Sequence, residues 1–176
     1  MQKLPTKLIG PVLLAPVVHG DERGFFLESY RSNVLAGLGV LDAFIQDNHS
    51  RSRRGILRGM HFQPGQAKLV RCVRGAIFDV IVDIRPGSAQ FGEWEGFRID
   101  DTDHQQLYVP DGFAHGFCVL SELADERLPL PGADDYETII PPTKRCMGRP
   151  IRGAGLVVCY NVIGTTVHVL AVKRAP

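Results

Sequence analysis

The chain has 176 residues, 44% of them hydrophobic and 22% charged, with a formal net charge of +1. That length supports a single domain with a real apolar core, and that charge balance gives no footing to a nucleic-acid binder or a membrane-surface protein. The near-zero total hides an asymmetry: residues 1–137 hold 14 Lys/Arg and all 19 Asp/Glu, whereas residues 138–176 hold 6 Lys/Arg and no acid.

Residues 1–24 lack a cleavable signal pattern, and Pro11 and Pro16 break their apolar stretch far short of a bilayer span. The cytoplasm is the expected location. Next comes GDERGFFLESY, Gly20–Tyr30, a turn followed by a short strand from Gly24. RSNVLAGLGV, Arg31–Val40, is the one stretch that reads as a short helix. Further strands are expected at Ala43–Ser50, Gly55–Gln63, Ala67–Val73, Ile77–Ile84, Trp94–Asp100, Gln105–Pro110 and Gly116–Glu122. In IFDVIVDI, Phe78, Val80, Val82 and Ile84 share one face, while Ile77 and Ile81 share the other with Asp79 and Asp83. Pro64–Gly65, Pro86–Gly87–Ser88 and Asp111–Gly112 supply the intervening turns. Many short strands with frequent turns predict an all-β double-sheet jelly roll or barrel. Leu128–Leu156 carries Pro, Gly and charge without a clean period, and two strands are expected beyond it, Gly155–Val162 and Thr165–Lys173. Cys72, Cys118, Cys146 and Cys159 form no CxxC pair and read as buried free thiols.

The chemistry concentrates in GILRGMHFQPGQAKLVRCVRG, Gly55–Gly75, where His61 has Arg58 before it and Lys68 and Arg71 after it. A neutral imidazole accepts protons well near pH 7. Nearby cations bind an anionic substrate and stabilise developing negative charge. Arg58 offers a planar fork for phosphate oxygens, and Lys68 a compact charge for an enolate oxygen. Strict alternation puts Arg58 and His61 on opposite faces, but Gly59 between them permits a bulge that re-aims both. Gln46 and Asn48 share a face of QDNHS and offer amide groups for base or sugar recognition. Arg23 lies in a turn before Phe25 and Phe26, where a guanidinium grips phosphate and a phenyl ring stacks; Glu28 follows as a hydrogen-bond acceptor. His115, between Gly112 and Gly116, is placed to donate to phosphate. There is no HxH pair, and no acid follows His61 before Asp79, which argues against a metal. Walker, dinucleotide GxGxxG and GxSxG patterns are missing too.

Together, GDERGFFLESY, QDNHSRSRRGILRGMHFQ, AKLVRCVRGAIFDVIVDIRPGSAQFGEW and VPDGFAHGFCVLSE resemble the dTDP-4-dehydrorhamnose 3,5-epimerase family, over about residues 8–122. The resemblance implies a cupin-like double-stranded β-helix in one domain, a homodimer, and no metal or cofactor. It implies dTDP-4-dehydro-6-deoxyglucose as substrate, inverted at C3 and C5 next to the C4 ketone. By similarity His61 is the base and Lys68 stabilises the enolate. Arg23, Arg58 and His115 hold phosphates, while Glu28, Gln46 and Asn48 contact the nucleotide part. Alternatives are a related 3- or 5-epimerase, a 3,4-ketoisomerase, or a catalytically impaired nucleotide-sugar-binding jelly roll.

Residues 123–176 depart from the family. The tyrosine used as the family's acid falls at about Leu128 when counted without gaps, and Tyr136 is the nearest tyrosine. The aspartate that pairs with the catalytic histidine has no candidate, because no acid follows Glu137. A diverged tail and a reading-frame slip after about Ala124 both account for this; the abrupt loss of acids and pattern favours the slip.

Overall fold

The computed structural model of the chain describes residues 1–130 and, as backbone only, three later strands. In chain order the elements are β1 Gln2–Leu4, β2 Val12–Ala15, β3 Val18–Asp21, β4 Gly24–Leu27, α1 Ser32–Gly37, β5 Gln46–Arg53, β6 Leu57–His61, β7 Lys68–Arg74 and β8 Ala76–Asp83. They continue with β9 Trp94–Asp100, β10 Gln106–Val109, β11 Phe113–Val119, β12 Leu123–Leu130, β13 Pro150–Ile151, β14 Leu156–Ile163 and β15 Thr166–Arg174. Tyr136 and Cys146 lie outside the described residues, as does the side chain of Cys159. None of the described helices is long and apolar enough to cross a membrane.

Two antiparallel sheets make the body: six strands in the order β1-β2-β10-β7-β12-β5, and four in the order β6-β11-β8-β9. Side chains alternate across each strand, so one row of each sheet points between them. Val70 and Cys72 of β7, Leu107 and Val109 of β10, and Ala124 of β12 meet Ile77 and Ile81 of β8, Ile99 of β9, and Phe113, Phe117 and Val119 of β11. The inward row of β8 is therefore the one that contains Asp79. Its other row is also buried at Val80, Val82 and Ile84, which explains why this strand reads as a nearly continuous apolar run.

The opposite face of the six-stranded sheet is apolar as well. Val12, Leu14, Leu69 and Tyr108 pack there against Leu35 and Val40. This is why α1 forms at all: six residues with no side-chain cap at the N-terminus are too few to be helical alone. Burial of Leu35 contributes about 2 kcal/mol. The helix is shorter than the expected Arg31–Val40 because Gly39 turns the chain away at φ +96°. The strand expected at Gly116–Glu122 is β11, which starts earlier, at Phe113, and ends at Val119; Leu120–Glu122 turn the chain into β12.

β5 and β6 are consecutive in the chain, yet each is the edge strand of a different sheet. Arg58 on β6 donates Nε–H to Ser52 Oγ on β5 at 2.9 Å, so a side-chain bond ties the two edges. The pairing of β6 with β11 sets His61 opposite His115 and Arg58 opposite Phe117. Three residue steps on β6 thus match two on β11, which is a bulge at Gly59–Met60. His115 and Phe117 point to the same face, so Arg58 and His61 do too.

Only glycine fits this bulge. Gly59 sits at φ +135°, and a Cβ there would lie 2.5 Å from Gly116 Cα. Gly59→Ala is expected to lower stability by about 2–4 kcal/mol, measured as the urea denaturation midpoint; an unchanged midpoint would contradict the close approach of β6 and β11.

Candidate active site

The bulge delivers His61 to the end of β6, partly buried, beside a set of groups that strand alternation points inward. Lys68 opens β7 on the row that continues through Val70 and Cys72, and it is 1% exposed. An ammonium so enclosed is costly, and burial lowers its pKa to about 8, although Asp111 and Asp79 pull the other way. His61 is lowered to about 4, by burial first and then by the electrostatic influence of His115, Lys68 and Arg58. At neutral pH the ring is therefore uncharged, the form that can accept a proton.

His115 is 2% exposed on β11, and its Nε2 lies 2.8 Å from Asp79 Oδ2 on β8. Burial pushes the Asp79 carboxyl up, against the pull of His115 and Lys68. Glu126 on β12 is also buried and accepts from Ser50 Oγ at 3.0 Å; burial raises its pKa to about 7. Asp79 Oδ1, His115 Nδ1, Glu126 Oε1 and Gln46 Oε1 are buried with no hydrogen-bond partner among the described residues. Unsatisfied polar atoms gathered on inward strand faces are unusual in a purely structural core and mark a place where a polar molecule completes the bonding.

Gln46 and Asn48 sit on the inward row of β5, half-buried, and the Gln46 side-chain amide donates to Asn48 Oδ1 at 2.9 Å. Arg58 is exposed and bonded to Ser52, toward the other end of β5, at the junction of the two sheet edges. The structure thus brings His61, Arg58, Lys68 and His115 together, with Gln46 and Asn48 further along the inward row of β5.

Arg23 and Glu28 are placed elsewhere. Arg23 lies in the turn of the exposed β3–β4 hairpin and pairs with Asp21; Glu28 follows the hairpin and pairs with Arg31. Phe25 stacks on His104 with ring centroids 4.5 Å apart, and Phe26 is 73% exposed. The site also holds two acids that strand-by-strand reading passes over. Asp79 announces itself only as a carboxylate inside an apolar run, and Glu126 has no motif around it.

A separate cleft of 410 Å³ lies on the outward face of the six-stranded sheet, lined by Tyr30, Phe44, Leu69, Arg71, Gln106 and Arg127 among others. Its one carboxylate, Asp47, is paired with Arg127 and it holds no histidine, so the interior around His61 is the better reaction site. Cys72 and Cys118 are buried free thiols; burial lifts Cys72 to about 12, which leaves it chemically inert. No group of three or more His, Cys, Asp or Glu side chains is arranged to hold a metal ion among the described residues.

These features define a cupin-like jelly roll whose interior pairs a neutral imidazole with buried positive charge. Residues 5–127 match the family profile described as dTDP-4-dehydrorhamnose 3,5-epimerase. The dTDP-4-dehydrorhamnose 3,5-epimerase of Escherichia coli (strain K12) is 50% identical over 129 residues, 71% of this chain and 70% of that protein. The dTDP-4-dehydrorhamnose 3-epimerase of Streptomyces niveus is 44% identical over 128 residues, 70% of this chain and 62% of the relative. The crystal structure of dTDP-6-deoxy-D-glucose-3,5-epimerase from Legionella pneumophila Philadelphia 1, in complex with dTDP-4-keto-L-rhamnose, matches with a TM-score of 0.76 at 41% identity, covering 78% of this chain and 77% of that one. The chain belongs to the dTDP-4-dehydrorhamnose 3,5-epimerase family.

The buried ammonium makes a stability prediction. Lys68 has a folded pKa of about 8, against about 10.4 when unfolded. Between those values the unfolded chain binds the extra proton, so stability should climb as pH rises from about 8 to 10.4. Lys68→Met is expected to remove that slope and raise stability at pH 7 by about 1–3 kcal/mol. Urea midpoints at pH 7 and pH 10 check this; a lower midpoint for the variant at pH 7 would contradict a costly buried charge.

Proposed function

We propose that this chain epimerises dTDP-4-dehydro-6-deoxy-D-glucose at C3 and C5 to dTDP-4-dehydro-L-rhamnose, a step of dTDP-rhamnose biosynthesis. The observation that carries the reading is the bulge at Gly59, which turns Arg58 and His61 to one face within reach of buried Lys68. The C4 ketone loosens the hydrogens on both flanking carbons. Neutral His61 takes such a proton, and the C–H electron pair moves through the new C=C bond onto the ketone oxygen. Lys68 stabilises the resulting oxyanion, an effect strengthened by the low dielectric of the interior. One base serves both carbons in turn.

Arg58 binds the diphosphate from the mouth between the two sheet edges, and Gln46 and Asn48 contact the nucleotide. His115 was expected on phosphate. Its burial and its bond to Asp79 favour a place beneath the sugar instead, where it helps keep His61 neutral. Arg23 and Glu28 belong to the nucleotide site only if the exposed hairpin lies over a second subunit, so this reading requires a homodimer. Phe25, 60% exposed, and Phe26 are apolar surface suited to that contact. A cytoplasmic location accords with the free thiols Cys72 and Cys118.

A narrower reading, inversion at C3 alone, draws support from the 3-epimerase among the relatives and from Leu128 at the position where the family carries its tyrosine. Proton exchange in heavy water separates the two: deuterium should enter at C3 and C5 for the full reaction and at C3 only for the narrower one. His61→Ala is expected to reduce exchange at both carbons by about 10²–10⁴-fold; exchange persisting in that variant rejects His61 as the base. Arg58→Ala should weaken dTDP binding by about 10–100-fold, read by calorimetry, and an unchanged affinity removes Arg58 from the phosphate site.

A further inference from the structure

Inversion needs two groups, because a base that returns its proton to the same side regenerates the starting sugar. Within the family pattern the second group is a tyrosine at the position of Leu128. Here that side chain is apolar and packs against the hydrophobic core. One inward position earlier on the same strand is Glu126.

The surroundings of Glu126 are those of a working acid. It is 5% exposed on the inward face of β12, paired in register with Ser50 of β5 and Cys72 of β7. Ser50 Oγ donates to its Oε2, while Oε1 is buried and bonds to nothing among the described residues. Asp79 of β8, His115 of β11 and Arg58 of β6 are close enough to act on its charge. His115 and Arg58 favour the ionised carboxylate; Asp79 and burial oppose it, and burial dominates. His115 and Arg58 are also neighbours of His61. Glu126 and His61 thus share His115 and Arg58 as charged or titratable neighbours, one acting from the six-stranded sheet and the other from the four-stranded sheet.

We propose that Glu126 is the proton donor of this chain, a carboxylic acid that protonates the sugar carbon on the face opposite His61. This rests on the epimerase reading above. The balance is simple: His61 gains the proton that leaves carbon, the electron pair goes to the ketone oxygen, and the enolate collapses as Oε1–H gives its proton to the other face of that carbon. The products are the inverted ketone, an imidazolium and a carboxylate, and solvent returns the protons to their starting places. The assignment holds whether the residue arose by divergence or by a slipped frame, since it concerns the wall this chain builds. With a pKa of about 7, inversion should weaken as pH rises through neutrality, because the donor is then ionised.

The experiment compares Glu126→Gln with the unaltered chain in heavy water, following deuterium uptake and epimer formation by NMR on one sample. Glutamine keeps the size and the bond to Ser50 but has no acidic proton. The expected result is deuterium uptake with retained configuration at near-normal rate, and inversion slowed at least about 10²-fold. Inversion at the normal rate overturns the proposal, and so does loss of uptake together with inversion. An unaltered chain that does neither defeats the epimerase reading itself, an outcome distinct from both. The unaltered chain gives an independent check: the ratio of inversion to uptake should fall above about pH 7, and a constant ratio from pH 6 to 9 overturns the assignment without any variant.

Discussion

Two glycines facing each other, Gly59 on β6 and Gly116 on β11, set the geometry of the whole site. Each would drive a Cβ into the other's backbone region, at 2.5 Å in one direction and 3.0 Å in the other. Their contact lets β6 carry an extra residue against β11, and that residue turns Arg58 to the same side as His61. A regular strand would keep the imidazole and the guanidinium on opposite faces, as period-two alternation demands. The bulge also lies at the sheet edge, where the ladder tolerates the disruption and where β6 passes close to β5.

Once His61 is turned inward, electrostatics decides its state. Burial and the neighbours His115, Lys68 and Arg58 all act in one direction, against protonation. The same interior penalises Lys68, which stays charged because Asp111 and Asp79 lie near it. Burial in turn pushes the Asp79 and Glu126 carboxyls up. An interior that encloses Lys68, His115, Asp79 and Glu126 costs stability. Such costs concentrate at sites where function requires them. The apolar rows of β7, β8, β10 and β11 and the Leu35 face of the sheet offset them.

The sequence was informative where the signal is local. His61, Arg58 and Lys68 lie within a short span, and a glycine between Arg58 and His61 is enough to anticipate a bulge. Strand alternation in IFDVIVDI and the shared face of Gln46 and Asn48 were legible for the same reason. Pairings between distant strands were not. Asp79 meets His115 only because β8 and β11 are neighbours, 36 residues apart in the chain. Glu126 becomes a buried, inward-facing residue only through the register of β12 with β5 and β7. Arg23 and Glu28 read as site residues by motif, but a single chain folds them into a hairpin with its own ion partners. The match to the family ends at residue 127, a few residues past Ala124, and beyond it neither pattern nor charge offers the usual cues.

The account stands on an imidazole kept uncharged by its enclosure. Direct titration of His61 by NMR, with ¹⁵N-labelled histidine and assignment by the signal lost in His61→Ala, measures that property without substrate. The ring should keep the shifts of neutral imidazole from pH 8 down to about pH 5 and protonate only near pH 4. A midpoint at or above about 6.5, the value of a solvated histidine, would show that the ring is open to water and that the proposed base is not held as described.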